Sequence, residues 1–474
     1  MVDVDAVVVG SGPNGLAAAV TLARAGLSVR VFEGADYVGG AAATRELTLP
    51  GFLHDVGSAV HPMALASPFF QQFGLTERVP MVIPEVSYGH PLPGGRAGLA
   101  YRDLDRAVEA LGPDGRAWRQ LFAPLIEHVD ALTSFTGANL LRIPRSPLDA
   151  LRFGLRTLEQ GTPAWNLRFS RDVAPAMLAG VAAHSVGRMP GLATSGTGMT
   201  LATYAHAYGW PIPVGGSQSI VDALVDDLVA HGGSVETGRR ITSLAELPAS
   251  RVTLLDVGPR AFADMAELPA SYRSAVSRFR YGNGVAKLDL ALRDPVPWTN
   301  PGLRRTGTVH LGGTRADIAR SELEVSRGKH PDHPYVLLSQ PTLFDASRAP
   351  EGQHTVWAYT HVPKGSDRDM SEAIIDTIEA SAPGFRDTIL ARTTSTAAGM
   401  ERANPNLVGG DISGGAVTLT QLVKRPVVSP HPWDTPIDGV YLCSSSTSPG
   451  PSVSGLPGWY AARRALSERF GIRA

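Results

Sequence analysis

Three glycines near the start of the chain have the spacing that brings protein backbone close to a phosphate group. Residues 10–15 read Gly-Ser-Gly-Pro-Asn-Gly, a G-x-G-x-x-G pattern, and they follow a short β-branched apolar run over residues 4–9. In this pattern Gly10 permits a tight turn, Gly12 lets a pyrophosphate approach the backbone, and Gly15 lets the next helix pack on the strand. The chemistry predicted here is the binding of a dinucleotide.

An acidic residue after the second predicted strand completes this motif. Residues 28–32 read as a strand, and Glu33 follows at the distance that the motif requires. A carboxylate at this position accepts hydrogen bonds from the adenosine ribose, and its charge repels a 2′-phosphate. The motif therefore favours FAD or NAD and disfavours NADP.

Two further segments indicate which dinucleotide binds. Gly39 and Gly40 offer a second place where backbone can lie close to phosphate or ribityl groups. Near the C-terminus, a predicted strand over 439–443 leads into a serine-rich loop and then a helix over 453–466, whose first turn would aim free amides at an electron-rich group. A flavin pyrimidine ring gains negative charge on reduction, so the pattern favours FAD.

The elements that must position these motifs predict an α/β fold. Helical spacing broken by proline and glycine runs from about residue 60 to 210, and residues 213–243 read as turn, helix and strand. Further strands are predicted over 284–292, 335–340 and 354–361. No second complete G-x-G-x-x-G is present, so a separate NAD(P)H domain is not expected.

We predict a Rossmann-type FAD-binding domain of the two-dinucleotide-fold kind, interleaved along the chain with an α+β substrate domain. The FAD-binding domain is predicted to comprise residues 1–95, 213–280 and 396–474. The substrate domain is predicted to comprise a helical part, 96–212, and a sheet part, 281–395.

Composition excludes several other classes of protein. The chain has 474 residues, 43% of them hydrophobic, and its 43 Lys and Arg balance 44 Asp and Glu. It therefore lacks the basic excess of a nucleic-acid binder. The single cysteine, Cys443, cannot form an intrachain disulfide, and neither a signal peptide nor a membrane-spanning apolar run is visible. These features predict a cytoplasmic protein, and no metal site is predicted.

On these motifs the chain resembles the phytoene dehydrogenase-related branch of the FAD-dependent amine oxidase and phytoene desaturase superfamily. It also resembles bacterial relatives of the pyridine nucleotide-disulphide oxidoreductase domain-containing protein 2 group. Three internal segments share in the resemblance: 213–217 (Pro-Val-Gly-Gly-Ser), 404–411 (Asn-Pro-Asn-Leu-Val-Gly-Gly-Asp) and 435–439 (Thr-Pro-Ile-Asp-Gly).

The resemblance implies a set of cofactor contacts. Backbone of Ile241, in a strand after residues 231–235, should meet the adenine, and the amides near residue 455 should meet the flavin pyrimidine. The residues implied to bind FAD are Gly10, Gly12, Pro13, Asn14, Gly15, Glu33, Gly34, Gly39, Gly40, Ala41, Ala42, Thr44, Ile241, Ser445, Ser446, Ser454, Gly455 and Leu456.

The chain departs from the family pattern in the loop before the last helix. Related sequences carry histidine where this chain has Ser454. A serine hydroxyl does not titrate near neutral pH, so either an acid or base role at that position is lost or the pocket is simply reshaped. The candidate catalytic residue is His61, which follows the FAD segment; its alternative role is that of a hydrogen-bonded structural histidine.

A basic amphipathic stretch over residues 141–156 has two interpretations. Leucines and arginines alternate along it, as in a helix resting on an anionic membrane, but an ordinary surface helix with arginine stems over the core fits the same pattern. A protein of this kind would be cytoplasmic with a peripheral membrane contact.

The leading functional hypothesis is dehydrogenation or desaturation of an apolar, isoprenoid- or polyketide-like small molecule by hydride transfer to flavin. The partners would then be that substrate and an external electron acceptor, O2 or a quinone. Two alternatives stay open: a flavin-dependent isomerase, and a redox-silent, FAD-stabilised binding or assembly protein.

Overall fold

Strands of two large sheets organise the chain in the computed structural model, which describes residues 3–473. In chain order the strands are β1 Val4–Val9, β2 Val29–Phe32, β3 Thr44–Glu46, β4 Leu53–Asp55, β5 Met81–Val82, β6 Val86–Leu92, β7 Arg96–Tyr101, β8 Ile212–Pro213, β9 Ser234–Glu236, β10 Ser250–Leu255, β11 Gly284–Leu292, β12 Thr306–Leu311, β13 Val336–Ser339, β14 His354–Val362, β15 Ile389–Ser395 and β16 Val440–Leu442.

The α-helices lie between these strands and cover the sheets. In chain order they are α1 Pro13–Arg24, α2 Pro62–Ala66, α3 Pro68–Phe73, α4 Leu75–Arg78, α5 Leu104–Ala110, α6 Gly115–Glu127, α7 Val129–Thr136, α8 Pro147–Gln160, α9 Val173–Ala182, α10 Leu192–Ala207, α11 Gln218–Ala230, α12 Pro259–Met265, α13 Ala270–Ser277, α14 Arg315–Ser326, α15 Ser371–Glu379, α16 Phe385–Thr388, α17 Ala397–Ala403, α18 Leu419–Val423 and α19 Leu456–Ala465.

The first sheet is parallel, with the strand order β16-β10-β1-β2-β9. Helices α1, α11 and α19 bury one of its faces in a large apolar core, and α12 and α13 cover the other. Parallel strands covered on both faces need apolar side chains on both, which explains the uninterrupted valine run in β1. Three separate stretches of the chain supply this sheet.

The second sheet is mostly antiparallel, in the order β15-β11-β14-β13-β12-β6-β7, and β6 and β12 are its parallel pair. The apolar cluster on one side includes residues of α15, and the helical segment α6–α10 packs against β6 and β7. The predicted division at residue 95 is wrong, because β6 pairs with β7 across it. The second sheet therefore begins by Val86, and the segment predicted as helical starts with a strand.

Within residues 3–473, no helix combines the length and the apolar character needed to cross a lipid bilayer.

Candidate functional site

The strand order of the parallel sheet reverses between β1 and β10, and the crevice expected there lies outside the carboxyl ends of these two strands. Such a switch point is where doubly wound sheets bind ligands. Gly10 ends β1 with φ +100°, and Gly12 is the N-cap of α1. A Cβ on Gly15 would overlap the carbonyl oxygen of Gly10. The three motif glycines therefore do what the sequence predicts: they make the turn, open the backbone and bring helix against strand.

The second glycine pair lies against the first. Gly39 has φ +105°, and its N–H donates to the carbonyl oxygen of Ser11 at 3.0 Å. A Cβ on Gly40 would stand 3.7 Å from the Cα of Gly12. The glycine loop and the Gly39–Gly40 pair thus border the same part of the crevice. Because glycine has no side chain, a pyrophosphate can lie close to the backbone there. Ala41 and Ala42 continue the second pair in a 3-10 turn, with Ala42 fully buried.

Glu33 holds the glycine loop in place. Its Oε2 accepts hydrogen bonds from the amide of Ser11 at 2.8 Å and from the Ser11 hydroxyl at 2.7 Å. Its Oε1 accepts from the amide of Ala35 at 2.9 Å, beside Gly34. Each carboxylate oxygen can accept more than one bond, so these contacts leave capacity for a ribose hydroxyl. The ribose contact itself stays a prediction.

The last helix packs directly on the first. A Cβ on Gly458, in the first turn of α19, would overlap the carbonyl oxygen of Asn14 in α1. The Asn14 amide donates to the hydroxyl of Ser445 at 3.3 Å, while its buried Oδ1 has no partner among residues 3–473. The N-termini of two helices, each with a positive dipole end, therefore meet beside a buried acceptor that a ligand can use.

The loop before α19 differs in detail from the prediction. The helix begins at Leu456 rather than at residue 453, because Gly455, with φ +68°, forms its N-cap. Ser454 is fully buried, and its hydroxyl accepts from Ser452 at 2.7 Å and from the amide of Leu456 at 3.4 Å. This favours a structural role for Ser454, in which it shapes and caps the loop. Ser446 is likewise engaged, donating to the Gly414 carbonyl at 2.8 Å.

Ile241 is buried but lies outside a strand. Strand β9 ends at Glu236, so the predicted placement of Ile241 within a strand is wrong. The residue packs in the apolar cluster that also contains Val7 and Phe32 of the parallel sheet. A loop position beside the sheet leaves its backbone free of ladder hydrogen bonds, and its contact with adenine stays a prediction.

Thr44 belongs to a polar network that joins the β3–β4 hairpin to the start of α11 and to the 3-10 turn Ala346–Arg348. Its hydroxyl donates to Asp55 at 2.7 Å, and Asp55 also accepts from the amide of Ser217 at 2.9 Å. The guanidinium of Arg348, fully buried, completes the network at 2.7 Å from Asp55. Burial opposes ionisation of Asp55, but the Arg348 charge and these hydrogen bonds hold its pKa below the usual range.

His61 is held by the same network. Its Nε2 lies 2.8 Å from the hydroxyl of Ser217, and its side chain is 2% exposed. Burial lowers the pKa of His61 to about 4, although the nearby Asp55 charge opposes that shift. The imidazole is therefore neutral above about pH 5 and is not available as an acid at neutral pH. The hydrogen bond to Ser217 favours a structural role for His61. A catalytic role for this residue stays a prediction.

A second buried ion pair was not predicted from the sequence. Lys287 bonds to Asp289 on β11, and His54 lies 3.7 Å from the same carboxylate. Burial and the charges of Lys287 and Arg348 lower the pKa of His54 to about 3. The sequence does contain a signal for this ion pair, because Lys287 and Asp289 interrupt a strand that is otherwise apolar and buried throughout. The residue types alone did not show that they face the Thr44–Asp55 hairpin.

Comparison with known proteins agrees with this geometry. Residues 8–73 match the family model of an NAD(P)-binding Rossmann-like domain. The chain is 28% identical to mouse pyridine nucleotide-disulfide oxidoreductase domain-containing protein 2, covering 97% of this chain and 92% of that protein. It is 22% identical to the neurosporene-forming phytoene desaturase of Rhodobacter capsulatus, covering 96% and 92%. These two proteins are homologues of the chain.

The fold is shared with solved oxidases. A putrescine oxidase variant superposes with a TM-score of 0.59 at 16% identity, covering 99% of both chains. At that identity the likeness shows the fold alone. The predicted fold class, a Rossmann-type domain interleaved with an α+β domain, is confirmed, as is the predicted family resemblance.

Proposed function

We propose that this homologue of flavin-type oxidoreductases binds FAD and removes hydride from an apolar, isoprenoid- or polyketide-like small molecule, passing electrons to O2 or a quinone. The observation that carries the proposal is the convergence of three distant segments on one crevice: the first glycine loop, the Gly39–Gly40 pair and the start of α19. An NAD site needs only the first glycine loop. The Gly39–Gly40 pair and the start of α19 extend the binding surface along a longer cofactor.

The residues of the crevice have chemistry that suits FAD. Helix N-termini stabilise negative charge, which favours a pyrophosphate at α1 and an electron-rich ring at α19. Glu33 offers acceptors to ribose hydroxyls. A bound flavin would supply the redox chemistry, so the chain itself must orient a C–H bond and exclude water rather than provide a strong acid or base. His61 is neutral and Ser454 caps its loop, so neither residue acts as a strong acid or base, as this proposal requires.

An apolar substrate is favoured by what surrounds the crevice. Ser58 lies beside the second glycine segment, because its amide donates to the Ala41 carbonyl at 3.1 Å. The next two residues, Ala59 and Val60, belong to an apolar cluster with Trp357 and Tyr359. A narrow, mainly apolar pocket continues from that cluster to the end of α8; its lining includes Gln160, Trp165, Ala182, Met189 and Met199. The pocket and the neighbouring cluster are therefore lined mainly by apolar side chains, which suit an apolar substrate.

The outward face of α8, whose last residue lines this pocket, is also apolar. Helix α8 turns Leu148, Leu151, Leu155 and Leu158 outward on one face, each more than half exposed, while Phe153 is buried beneath them. Ile143, 88% exposed, extends the patch. A contiguous leucine stripe on the outside of a helix is typical of an interaction surface rather than of an ordinary amphipathic helix.

Charge around the stripe fits an anionic lipid surface. Arg142 and Arg145 are exposed beside it. Arg152 is also exposed but is paired with Asp149 at 2.8 Å, and Glu159 is paired with Arg168. Insertion of half-exposed leucines contributes roughly 1 kcal/mol each, and each arginine near an anionic leaflet adds about 1 kcal/mol. We therefore propose that residues 141–158 rest on an anionic membrane, from which the apolar substrate enters.

Vesicle co-sedimentation tests this membrane contact. Wild-type protein should bind vesicles of phosphatidylcholine with 30% phosphatidylserine, and the double variant Leu151→Glu/Leu155→Glu should bind at least about tenfold more weakly, because it loses apolar area and adds repulsion. The matched control, Val229→Glu/Val428→Glu, changes two exposed residues elsewhere and should bind as wild type does. Equal binding by all three proteins, or a dimer that only the α8 variant disrupts, contradicts a lipid contact.

Flavin reduction tests the redox function. Dithionite should bleach the flavin spectrum of the purified protein, and air or a soluble quinone should restore it. A flavin that never reduces would instead indicate the redox-silent binding protein. Turnover of a substrate without consumption of an acceptor would indicate an isomerase, and either outcome contradicts the proposed dehydrogenase.

A further inference from the structure

A buried carboxyl group lies directly under the first glycine loop. Asp256 follows β10 at the switch point of the parallel sheet and is 9% exposed. A Cβ on Gly10 would stand 3.0 Å from the Cβ of Asp256, and a Cβ on Gly12 would stand 2.7 Å from its Oδ2. Glycine is required here partly because this carboxyl group fills the space, and the carboxyl group is consequently part of the crevice floor.

The surroundings of Asp256 contain little that would hold a negative charge. Its Oδ2 accepts a hydrogen bond from the amide of Gly15 at 3.1 Å, the one donor to this carboxyl among residues 3–473. The ionisable groups that face it are Glu33, beyond β2, and the thiol of Cys443, which follows β16; Asn406 bonds to the Asp256 carbonyl and is uncharged.

These surroundings favour the protonated acid. Burial raises the pKa of Asp256 to about 7; the Gly15 amide opposes this shift, and the Glu33 charge adds to it. The same position is where the dinucleotide motif places a pyrophosphate, at the N-terminus of α1. A phosphate anion entering the crevice disfavours a neighbouring carboxylate further, whereas a neutral carboxylic acid can donate a hydrogen bond to it.

We propose that Asp256 is a cofactor-binding residue that acts in its protonated form, donating a hydrogen bond toward the pyrophosphate, so that cofactor binding takes up a proton and weakens as the pH rises. This inference rests on the proposed FAD site. A titrating Asp256 makes the affinity for FAD depend on pH near neutrality. The glycine motif alone does not give this dependence, since backbone amides do not titrate near neutral pH.

A titration of the apoprotein with FAD at several pH values tests the inference. Flavin fluorescence gives the Kd between pH 6.5 and 9, and above about pH 7 we expect the Kd to rise by up to about tenfold per pH unit, the slope for one linked proton. Calorimetry at pH 8.5 in buffers of different ionisation enthalpy should report the uptake of close to one proton. This second measurement needs no variant.

Two variants assign the effect to Asp256. Asp256→Asn keeps an acceptor for the Gly15 amide and gains a permanent donor, so its Kd should vary by less than about twofold over the same range. Asp5→Asn makes the same change of charge at the opposite end of β1, where Asp5 bonds to Ser28, and should keep the wild-type slope.

The outcomes separate this inference from the proposed function. If FAD binds tightly and the wild-type Kd does not change with pH, or if Asp256→Asn keeps the full slope, the inference is overturned while the FAD site stands. If FAD does not bind at any pH, the proposed function fails, and this inference fails with it.

Discussion

Replacing Gly15 with alanine should remove dinucleotide binding and destabilise the chain. The new Cβ would overlap the Gly10 carbonyl oxygen, which is backbone and cannot rotate away. Helix α1 must therefore move off β1, at an overpacking cost of about 1–3 kcal/mol or more. The same movement displaces the amides that face the crevice, so FAD affinity should fall by at least about 100-fold, measured by fluorescence titration, while chemical denaturation gives the free energy of unfolding.

Gly154 provides the matched control for that substitution. It lies in α8, and a Cβ there would have no heavy atom within 4 Å. Gly154→Ala should leave FAD affinity unchanged and stabilise the helix by about 0.5–1 kcal/mol, since alanine is the better helix former. If Gly15→Ala binds FAD with wild-type affinity, the glycine loop does not hold the cofactor.

Replacing Arg348 with methionine should cause the largest loss of stability. The substitution leaves Asp55, 1% exposed, as an unpaired charge between the β3–β4 hairpin and the 3-10 turn Ala346–Arg348. Breaking a buried pair in this way costs about 3–5 kcal/mol, whereas Arg305→Met, which breaks an exposed pair with Glu85, should cost no more than about 1 kcal/mol. Urea denaturation of both variants measures the difference. Equal losses would show that the Asp55–Arg348 pair does not stabilise the junction.

The Arg348→Met penalty should also depend on pH. In the wild type the pKa of Asp55 is depressed, so its contribution to stability is present above the unfolded pKa and is lost as the pH falls through the folded pKa. Without Arg348, burial raises the pKa of Asp55, and the variant gains stability as it takes up a proton. The penalty should therefore be smaller at pH 5 than at pH 7, and the double variant Asp55→Asn/Arg348→Met should recover much of it.

Local patterns were sufficient to predict the first unit of the fold. Three consecutive elements form this unit: the valine run of β1, the glycine loop and α1. Their arrangement does not depend on contacts with distant parts of the chain, and the glycine motif has a defined geometry. Three strands of the second sheet, β11, β13 and β14, were also predicted from apolar runs, whereas β6, β7, β12 and β15 were not. The domain boundary was less accurate: a division was predicted at residue 95, although residues 93–95 are the loop that joins the two paired strands β6 and β7.

Long-range contacts were not predictable in the same way. Asp256 stands far along the chain from Gly15, and no local pattern shows that β10 lies next to β1. The pairing of Asp55 with Arg348 likewise joins the β3–β4 hairpin to a turn 293 residues later in the chain. Ser454 could be recognised as a departure from the family pattern, but its role as a loop cap follows from hydrogen bonds that only the folded loop reveals.

The central claim is that one FAD occupies the crevice at the switch point of the parallel sheet. Denaturation of the purified, reconstituted protein, followed by chromatography and mass measurement of the released cofactor, tests it most directly. We expect close to one FAD per chain for the wild type and almost none for Gly15→Ala, with Gly154→Ala equal to wild type. Release of NAD in place of FAD, or equal FAD content in the wild type and Gly15→Ala, would contradict it.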